Sequence, residues 1–243
     1  MDRIQNIDYC INYLIKQNQA KAENPASLQD KQRLLRILMN IWQPQPLDID
    51  FIQAQDAELQ AQLADKGIVK TRNRLWHGDI TRLKVDAIVN AANSRGLGCW
   101  QPMHLCIDNA IHSAAGLQLR QECNQILQGE EIATGGAIIT PAYNLPAKYV
   151  IHTVGPIIKT DKPTAGQEEL LAACYRSCLC LAREHDCHSI AFPCIATGEF
   201  HFPNQRAAEI AIRTCCHAPI RVTFVTFTNT DRKIYRQLVV SGQ

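Results

Sequence analysis

The stretch DAIVNAA, residues 86–92, is a short apolar run that predicts a buried strand. Similar runs follow at residues 136–140, 148–154, 189–194 and 221–227. LWHGDI, residues 75–80, is typical of a strand at the sheet edge. Helical patterns lie at residues 106–127, 167–185, 204–216 and 231–239. Because buried strands that alternate with crossover helices form parallel sheets covered on both faces, the sequence predicts an α/β fold with a mostly parallel central sheet.

Residues 1–70 differ in pattern from the rest of the chain. IDYCINYLIK, KQRLLRILMNIW and DIDFIQAQDAELQAQLADKG each space their apolar residues as a helix does, with Pro44 and Pro46 between the second and the third. Three helices of this length bury too little surface to be stable alone, so we expect them to dock on the remaining chain. The sequence therefore divides into a helical N-terminal extension, residues 1–70, and an α/β domain, residues 71–243.

The composition limits the class of protein. The chain has 243 residues, 46% of them hydrophobic and 20% charged, with a formal net charge of +2. These values exclude a disordered chain, and no basic stripe indicates a nucleic-acid partner. No apolar run is long enough to cross a bilayer, and the N-terminus MDRIQNIDYC lacks the order of a signal peptide. We expect a soluble, cytoplasmic protein with no membrane partner.

Eleven cysteines are many for a chain without a secretion signal. Reduced thiols that pack as small hydrophobes explain most of them better than disulfides do. Cys174, Cys178 and Cys180 fall at helical spacing, and Cys215 and Cys216 end another helical run. We interpret these five as core residues.

Ligands of parallel α/β sheets bind beyond the carboxyl ends of the strands. This rule selects three loops, at residues 93–105, 195–203 and 228–231. In the first loop, Cys99, His104 and Cys106 form the pattern C-x4-H-x-C, which is none of the usual structural zinc spacings. All three are good zinc ligands, and three ligands with one open position would be a catalytic arrangement. In a chain so rich in cysteine, ordinary side chains are the alternative.

The second loop, ATGEFHFPN, leads from a strand into a helix. Backbone N–H groups around Thr197, Gly198 and Glu199 could face an anion there, although a turn with one glycine is more often only a turn. Phe200 or Phe202 could cover a sugar or a base, with core packing as the alternative.

Four polar residues near the strand ends have structural explanations as well as functional ones. Asp108 lies in the first turn of a helix, where a carboxylate stabilises the helix dipole. Asp79 has the position of a turn or capping residue. Asn90 and Asn93 end a buried strand, which is a poor place for an amide without a hydrogen-bond partner. Of these two, we expect Asn93 to face the cleft.

Several motifs together resemble the macrodomain family, the ADP-ribose-binding fold. GDITRLKVDAIVNAANS resembles its opening signature, DNAIHSAAG its loop-to-helix segment, TGGAIITPAYNLPAKYVIHTVGP its central strands and AFPCIATGEFHFP its phosphate loop. The resemblance extends from about Leu75 to Val239. It implies a three-layer α/β/α macrodomain, preceded here by the helical extension.

Within that family, GCWQPMHLCIDN resembles the branch of zinc-dependent microbial macrodomains, which also tend to have a helical extension. This likeness implies that Cys99, His104 and Cys106 bind Zn²⁺. It also implies a hydrolase that removes mono-ADP-ribose from modified proteins, in association with sirtuin-like ADP-ribosyltransferases.

The resemblance implies a role for each matching residue. Asp79 matches the residue that binds the adenine amino group, with Ile80 beside it, and Asn93 the residue that contacts the distal ribose. Asp108 matches an acidic residue near that ribose, and we expect Asn93 and Asp108 to take part in catalysis. The residues that match the diphosphate loop, with Phe200 over the distal sugar, are Thr197, Gly198, Glu199 and Phe200. Phe227 and Asn229 are expected nearer the adenine.

The sequence departs from the metal-free hydrolases of the family in two places. It has CWQPMHLC where they carry a run of glycines, and Asn109 where a small residue is common. Two other functions stay open, because one fold serves several functions. One is a reader module that binds ADP-ribose with a structural zinc and no hydrolysis, and the other is an esterase or phosphatase acting on ADP-ribose derivatives.

Overall fold

The structure is a computed structural model that describes residues 2–160 and 162–241. The helices of the extension are α1 (Arg3–Gln17), α2 (Leu28–Ile41) and α3 (Ile49–Lys66). The strands are β1 (Leu75–His77), β2 (Ala87–Ala91), β3 (Ala137–Pro141), β4 (Tyr149–Thr153), β5 (Ser189–Phe192) and β6 (Arg221–Thr226). The other helices are α4 (Ile107–Ala115), α5 (Leu117–Leu127), α6 (Ala165–Glu184), α7 (Asn204–Cys215) and α8 (Asn229–Ser241).

The three predicted helices of the extension are confirmed, and their boundaries have local causes. Asp2 begins α1 with a capping box that includes Gln5, and Ser27 accepts a hydrogen bond from the first turn of α2. The three helices share a core that includes Ile11, Trp42 and Phe51, all fully buried. Leu117 of α5 belongs to the same core, so the extension packs on the α/β part of the chain. The division at residue 70 stays a prediction.

Over the described residues, the strands form one six-stranded sheet in the order β1-β6-β5-β2-β4-β3. Every neighbouring pair is parallel except β3 and β4, which are antiparallel. The α/β class, the mostly parallel sheet and the strand at its edge are therefore confirmed. The carboxyl ends of β2, β5 and β6 meet along one side of the sheet, which positions the loops discussed below.

Helices cover both faces of the sheet, as predicted for a three-layer α/β/α fold. Alternate residues of β2 face opposite layers: Val89 belongs to the core cluster that includes residues of α6, α7 and α8, whereas Ile88 belongs to the cluster that includes Ile111 of α4. The extension lies outside this second layer, with α2 against α4. None of the helices in the described residues has the length and apolarity to cross a membrane.

The single helix predicted over residues 106–127 is wrong in one respect, because the structure has two helices that meet at Gly116. Gly116 has φ +99°, and a Cβ there would lie 2.7 Å from Gln55 Nε2 of α3. The backbone N–H of Leu117 donates to Gln55 Oε1 at 2.9 Å instead of continuing the helix. The apolar spacing continues across the break, so the pattern alone does not reveal it.

The interpretation of five cysteines as core residues is correct for Cys174, Cys178 and Cys215 and wrong for Cys180 and Cys216, which are exposed. Cys174 and Cys178 are four residues apart and share a helix face. Cys180 stands on another face of α6, because each residue turns the helix by about 100°. Cys216 follows the last residue of α7.

Candidate active site and metal centre

The loops after β2, β5 and β6 surround one cavity of about 940 Å³. Its volume lies at the upper end of the range for ligand sites, about 300–1,000 Å³. The cavity is lined by all the residues assigned to the site from the sequence, namely Asp79, Ile80, Asn93, Cys99, His104, Cys106, Asp108, Thr197, Gly198, Glu199 and Phe200. Of the two residues expected nearer the adenine, Phe227 lines the cavity and, within the described chain, Asn229 does not.

Cys99, His104 and Cys106 come together at one end of the cavity. Their ligand atoms all lie within 4.8 Å of one another, and Cys99 Sγ is 3.6 Å from His104 Nδ1. A tetrahedral zinc with Zn–S of about 2.3 Å and Zn–N of about 2.0 Å holds sulfur and nitrogen roughly 3.6 Å apart. The donors and their spacing therefore fit a zinc ion, with one coordination position left for water or substrate.

Cys106 owes its position to helix α4, where it is the N-cap residue. Its Sγ accepts a hydrogen bond of 3.4 Å from the backbone N–H of Asn109. Burial raises the pKa of the Cys106 thiol to about 12. A cation beside it would favour the thiolate, which is the form that binds metal.

Glu199 faces the imidazole of His104, with 3.6 Å between Glu199 Oε1 and His104 Nε2. From the sequence, Glu199 was expected only in the diphosphate loop, and nothing in its spacing indicates this pairing with His104. A carboxylate at the second nitrogen of a metal-binding histidine fixes the orientation of its ring. The arrangement leaves His104 Nδ1 facing Cys99.

Asp108 lies two residues after Cys106 in the chain and is almost fully buried. Its Oδ1 accepts a hydrogen bond of 2.7 Å from Asn90, and its Oδ2 accepts one of 3.0 Å from Asn93. Burial raises the pKa of Asp108 to about 6, although the Asn90 hydrogen bond, the charge of Arg120 and the Asn93 hydrogen bond act in the opposite direction. The position in the first turn of α4 is the predicted one.

Asn93 is held by the protein on both sides of its amide. Its Nδ2 donates to Gly98 O at 3.1 Å as well as to Asp108, and its Oδ1 accepts from the backbone N–H of Arg95 at 3.1 Å. Both amide hydrogens are therefore used, and only the oxygen keeps a free lone pair. Asn93 joins Asp108 to the loop that carries Cys99, His104 and Cys106.

Asn90 is a site residue whose partner the sequence did not reveal. Besides Asp108, its Nδ2 donates to His152 Nδ1 at 3.1 Å, and His152 Nε2 is 3.1 Å from Thr140 Oγ1. Burial lowers the pKa of His152 to about 3, so the ring is neutral. In the sequence, the signal for this role is a polar residue at the end of a buried strand. In the structure, Asn90 holds the carboxylate of Asp108 by a hydrogen bond.

A second set of potential metal ligands, His112, Cys123 and His152, is fully enclosed behind Asp108. Both ring nitrogens of His152 already face protein partners, Asn90 and Thr140. The set therefore belongs to the core that supports Asp108.

The loop from Thr197 to Phe200 follows β5 and reaches the amino end of α7. Gly198 stands in open space, because a Cβ at that position would meet no atom within 4 Å. Phe200 is half-buried and lines the cavity, whereas Phe202 is 1% exposed and packs in the core. Of the two aromatic residues considered from the sequence, only Phe200 is available to a ligand.

Asp79 also lines the cavity and caps a short 3-10 turn. Its Oδ1 accepts from the backbone N–H of Thr81 at 3.0 Å and from Thr81 Oγ1 at 2.6 Å. Oδ2 takes no part in either bond. The side chain therefore has the capping role that the sequence indicated, and one oxygen remains for a ligand.

The extension forms part of the cavity wall, a contact that the sequence does not indicate. Arg36 and Met39 of α2 and Leu59, Leu63 and Lys66 of α3 line it. Two helices of a segment that looks separate in the sequence thus face the same cavity as Cys99, His104 and Cys106.

The chain belongs to the macrodomain family, whose model, described as "Macro domain", matches residues 89–211. A relative from Treponema medium named "Protein-ADP-ribose hydrolase" is 45% identical, over 95% of this chain and 97% of its own length. A Fusarium oxysporum relative named "Probable bifunctional ADP-ribose hydrolase/ADP-ribosyltransferase" is 46% identical, over 70% of this chain and 31% of its length. A variant Oceanobacillus iheyensis macrodomain, solved with ADPR (ADP-ribose), is 40% identical with a TM-score of 0.62, over 69% of this chain and 91% of that chain.

Proposed function

We propose that this chain is a zinc-dependent protein-ADP-ribose hydrolase, which releases mono-ADP-ribose from modified proteins by cleaving the bond at the distal ribose. The observation that carries the proposal is the convergence of the Cys99, His104 and Cys106 ligand atoms within 4.8 Å, in the same cavity as Asp108. The name of the Treponema medium relative, which matches 95% of this chain, supports the enzyme class.

The proposed ligand lies along the cavity from Asp79 to the metal ligands. Asp79, with Ile80 beside it, binds the adenine through the oxygen that does not cap the turn. The diphosphate lies against the backbone from Thr197 to Glu199, where Gly198 leaves open space and the amino end of α7 favours an anion. Phe200 then covers the distal ribose.

The distal ribose lies next to the residues that carry the reaction. A zinc ion supplies a Lewis acid beside the sugar when it is bound by Cys99, His104 and Cys106. Asp108 receives only one hydrogen bond on each oxygen, so its carboxylate can also accept the proton of an attacking water. Asn93 keeps that carboxylate in place and offers its amide oxygen to a ribose hydroxyl.

The test compares release of ADP-ribose from a modified protein with binding of free ADP-ribose, for the unaltered chain, Cys106→Ala and Cys180→Ala. Cys106→Ala removes a metal ligand, whereas Cys180→Ala changes an exposed cysteine outside the cavity. We expect Cys106→Ala to abolish release and to leave weakened but measurable binding, and Cys180→Ala to change neither. A chelator should reproduce the effect of Cys106→Ala on the unaltered chain.

Full release by Cys106→Ala would refute the role of the metal. Binding without release by the zinc-loaded, unaltered protein would indicate a reader module instead. Hydrolysis of free ADP-ribose derivatives alone would indicate the esterase or phosphatase function.

The modified substrate must come from an ADP-ribosyltransferase, and we propose a sirtuin-like enzyme as that partner. The name of the Fusarium oxysporum relative, which combines the two activities, supports pairing of hydrolase and transferase. We propose the cytoplasm as the compartment, because all eleven cysteines are free thiols, as a reducing environment favours.

A further inference from the structure

The metal loop, residues 99–106, is the last part of the connection from β2 to α4 and contains no helix or strand of its own. One internal hydrogen bond between backbone groups, from the N–H of His104 to Gln101 O at 3.2 Å, closes a turn within it. A loop of this kind needs contacts from outside to hold three ligands in a fixed arrangement. Several of those contacts come from helix α2 of the extension.

Asn40 of α2 is 1% exposed and reaches both the metal loop and α4. Its Oδ1 accepts hydrogen bonds from the backbone N–H of Met103 and from Asn109 Nδ2, each of 3.0 Å. Its Nδ2 donates to Ser113 Oγ at 3.0 Å. One amide thus fixes the loop residue that precedes His104 and the helix that follows Cys106.

Arg36 lies one turn earlier on α2 and contacts the backbone of a metal ligand. Its Nη2 donates to His104 O at 3.2 Å and to Asn109 Oδ1 at 2.6 Å, and its Nε donates to Asn109 Oδ1 at 3.1 Å. A guanidinium is a planar fork, so these bonds set direction as well as distance.

Asn109 is the point where these contacts meet. Its side chain is fully buried, accepts from Arg36 and donates to Asn40 and to Gln101 O at 3.0 Å. Its backbone N–H donates to Cys106 Sγ. The structure thus gives a reason for the asparagine that stands here instead of the small residue common in metal-free hydrolases.

Arg120 of α5 fastens the end of α2 to the same loop. Its Nη1 donates to the carbonyl oxygens of Met39, Asn40 and Trp42 at 3.0, 3.1 and 2.7 Å. Its guanidinium lies 4.2 Å from the centre of the Trp100 ring. The helix that carries Arg36 and Asn40 is therefore itself fixed in position beside the loop.

We propose that Arg36 and Asn40 of the extension are positioning residues that, with Asn109 as the link, hold Cys99, His104 and Cys106 in the geometry that binds zinc. This inference rests on the zinc site of the proposed function. It makes the extension a part of the active site, although none of its residues is a metal ligand.

The experiment measures zinc affinity by competition with a chromogenic chelator, and the absorption spectrum of the cobalt(II) form, for Asn40→Ala, Arg36→Ala and Gln60→Ala. Gln60 of α3 is the matched control, because it donates two hydrogen bonds across the same boundary, to Asn144 O at 3.0 Å and Asn144 Oδ1 at 3.2 Å, away from the loop. We expect Asn40→Ala and Arg36→Ala to weaken zinc binding about 10- to 100-fold and to alter the cobalt spectrum. Gln60→Ala should keep both.

Unchanged zinc affinity and cobalt spectra in folded Asn40→Ala and Arg36→Ala would overturn the inference. An equal loss in Gln60→Ala would also overturn it, because the effect would then follow from loosening of the extension. If Asn40→Ala does not fold, the zinc affinity and cobalt spectrum of Arg36→Ala test the inference, because Arg36 is only half-buried. Tight zinc binding without ADP-ribose release by the unaltered protein would overturn the proposed hydrolase alone, and absence of zinc binding would overturn both.

Discussion

Gly198 has space for a side chain that the protein itself does not fill. Substituting valine should therefore leave the free energy of unfolding within about 0.5 kcal/mol of its original value. The same side chain would occupy the space proposed for the diphosphate and separate it from the backbone N–H groups. Loss of hydrogen bonds to a charged group costs about 1.5–3 kcal/mol, so affinity for ADP-ribose should fall at least about tenfold. Calorimetric titration and urea unfolding measure the two quantities.

Gly166→Val is the control for this prediction, since a Cβ at Gly166 meets only Thr164 Oγ1 at 3.9 Å and the residue does not line the cavity. It should change neither affinity nor, beyond a helix-propensity effect, stability. Undiminished ADP-ribose binding by Gly198→Val would contradict the assignment of this loop to the diphosphate.

Asn93 is a residue whose position could be predicted from the sequence but whose hydrogen bonds could not. The sequence places the residue at the cleft, and the structure places it there too. Its hydrogen-bond partners, Gly98 and Asp108, depend on the path of the loop, which spacing does not encode. The pairing of His104 with Glu199 is equally hidden, because it joins two loops far apart in the chain.

At the scale of secondary-structure elements, Asp86 ties together the starts of three strands. Its carboxylate accepts from the backbone N–H of His188 at 3.0 Å, from Ser189 Oγ at 2.8 Å and from Lys148 Nζ at 2.7 Å. Burial alone would raise the pKa of Asp86, but the hydrogen bonds from Lys148, Ser189 and His188 outweigh it and lower the pKa from 3.8 to about 2. β2, β4 and β5 are thereby joined at their amino ends.

This lowered pKa predicts a pH-dependent contribution to stability. The folded protein holds the ionised form more strongly than the unfolded chain does, so the contribution is full above pH 3.8 and is lost as the pH falls towards 2. We expect Asp86→Asn to lower the free energy of unfolding by about 1–2 kcal/mol at pH 7 and by much less near pH 2. Urea unfolding at both pH values measures this, and a loss of the same size at both would contradict it.

The elements themselves could be predicted well, because buried strands and amphipathic helices leave periodic patterns in the sequence. DAIVNAA, KYVIHTV and RVTFVTF all contain the strands that the structure has. At the break, Gly116 is the one local signal, and the apolar spacing that continues across it outweighs that signal. The hydrogen bond from Leu117 to Gln55 could not be predicted, because Gln55 belongs to a distant helix.

At the scale of the whole molecule, the extension and the α/β part should respond to zinc together. If α2 holds the metal loop, zinc bound by the loop must stabilise the docking of α2 by the same coupling free energy. We expect amide hydrogen exchange in residues 28–41 to slow when Zn²⁺ is added. Helix α6 packs on the opposite face of the sheet and serves as the internal control, with no change expected. Equal slowing in both helices would contradict a specific coupling.

The guanidinium of Arg120 ties the last carbonyls of α2 to the indole of Trp100. Through these contacts the segment that carries Cys99, His104 and Cys106 and the three leading helices form one structural unit, although they are distant along the chain. Grafting residues 99–106 onto a macrodomain without those helices would transfer the sulfur and imidazole donors. It would not transfer Arg36 and Asn40, whose hydrogen bonds position the loop. An engineer who wishes to move this chemistry must transplant both pieces.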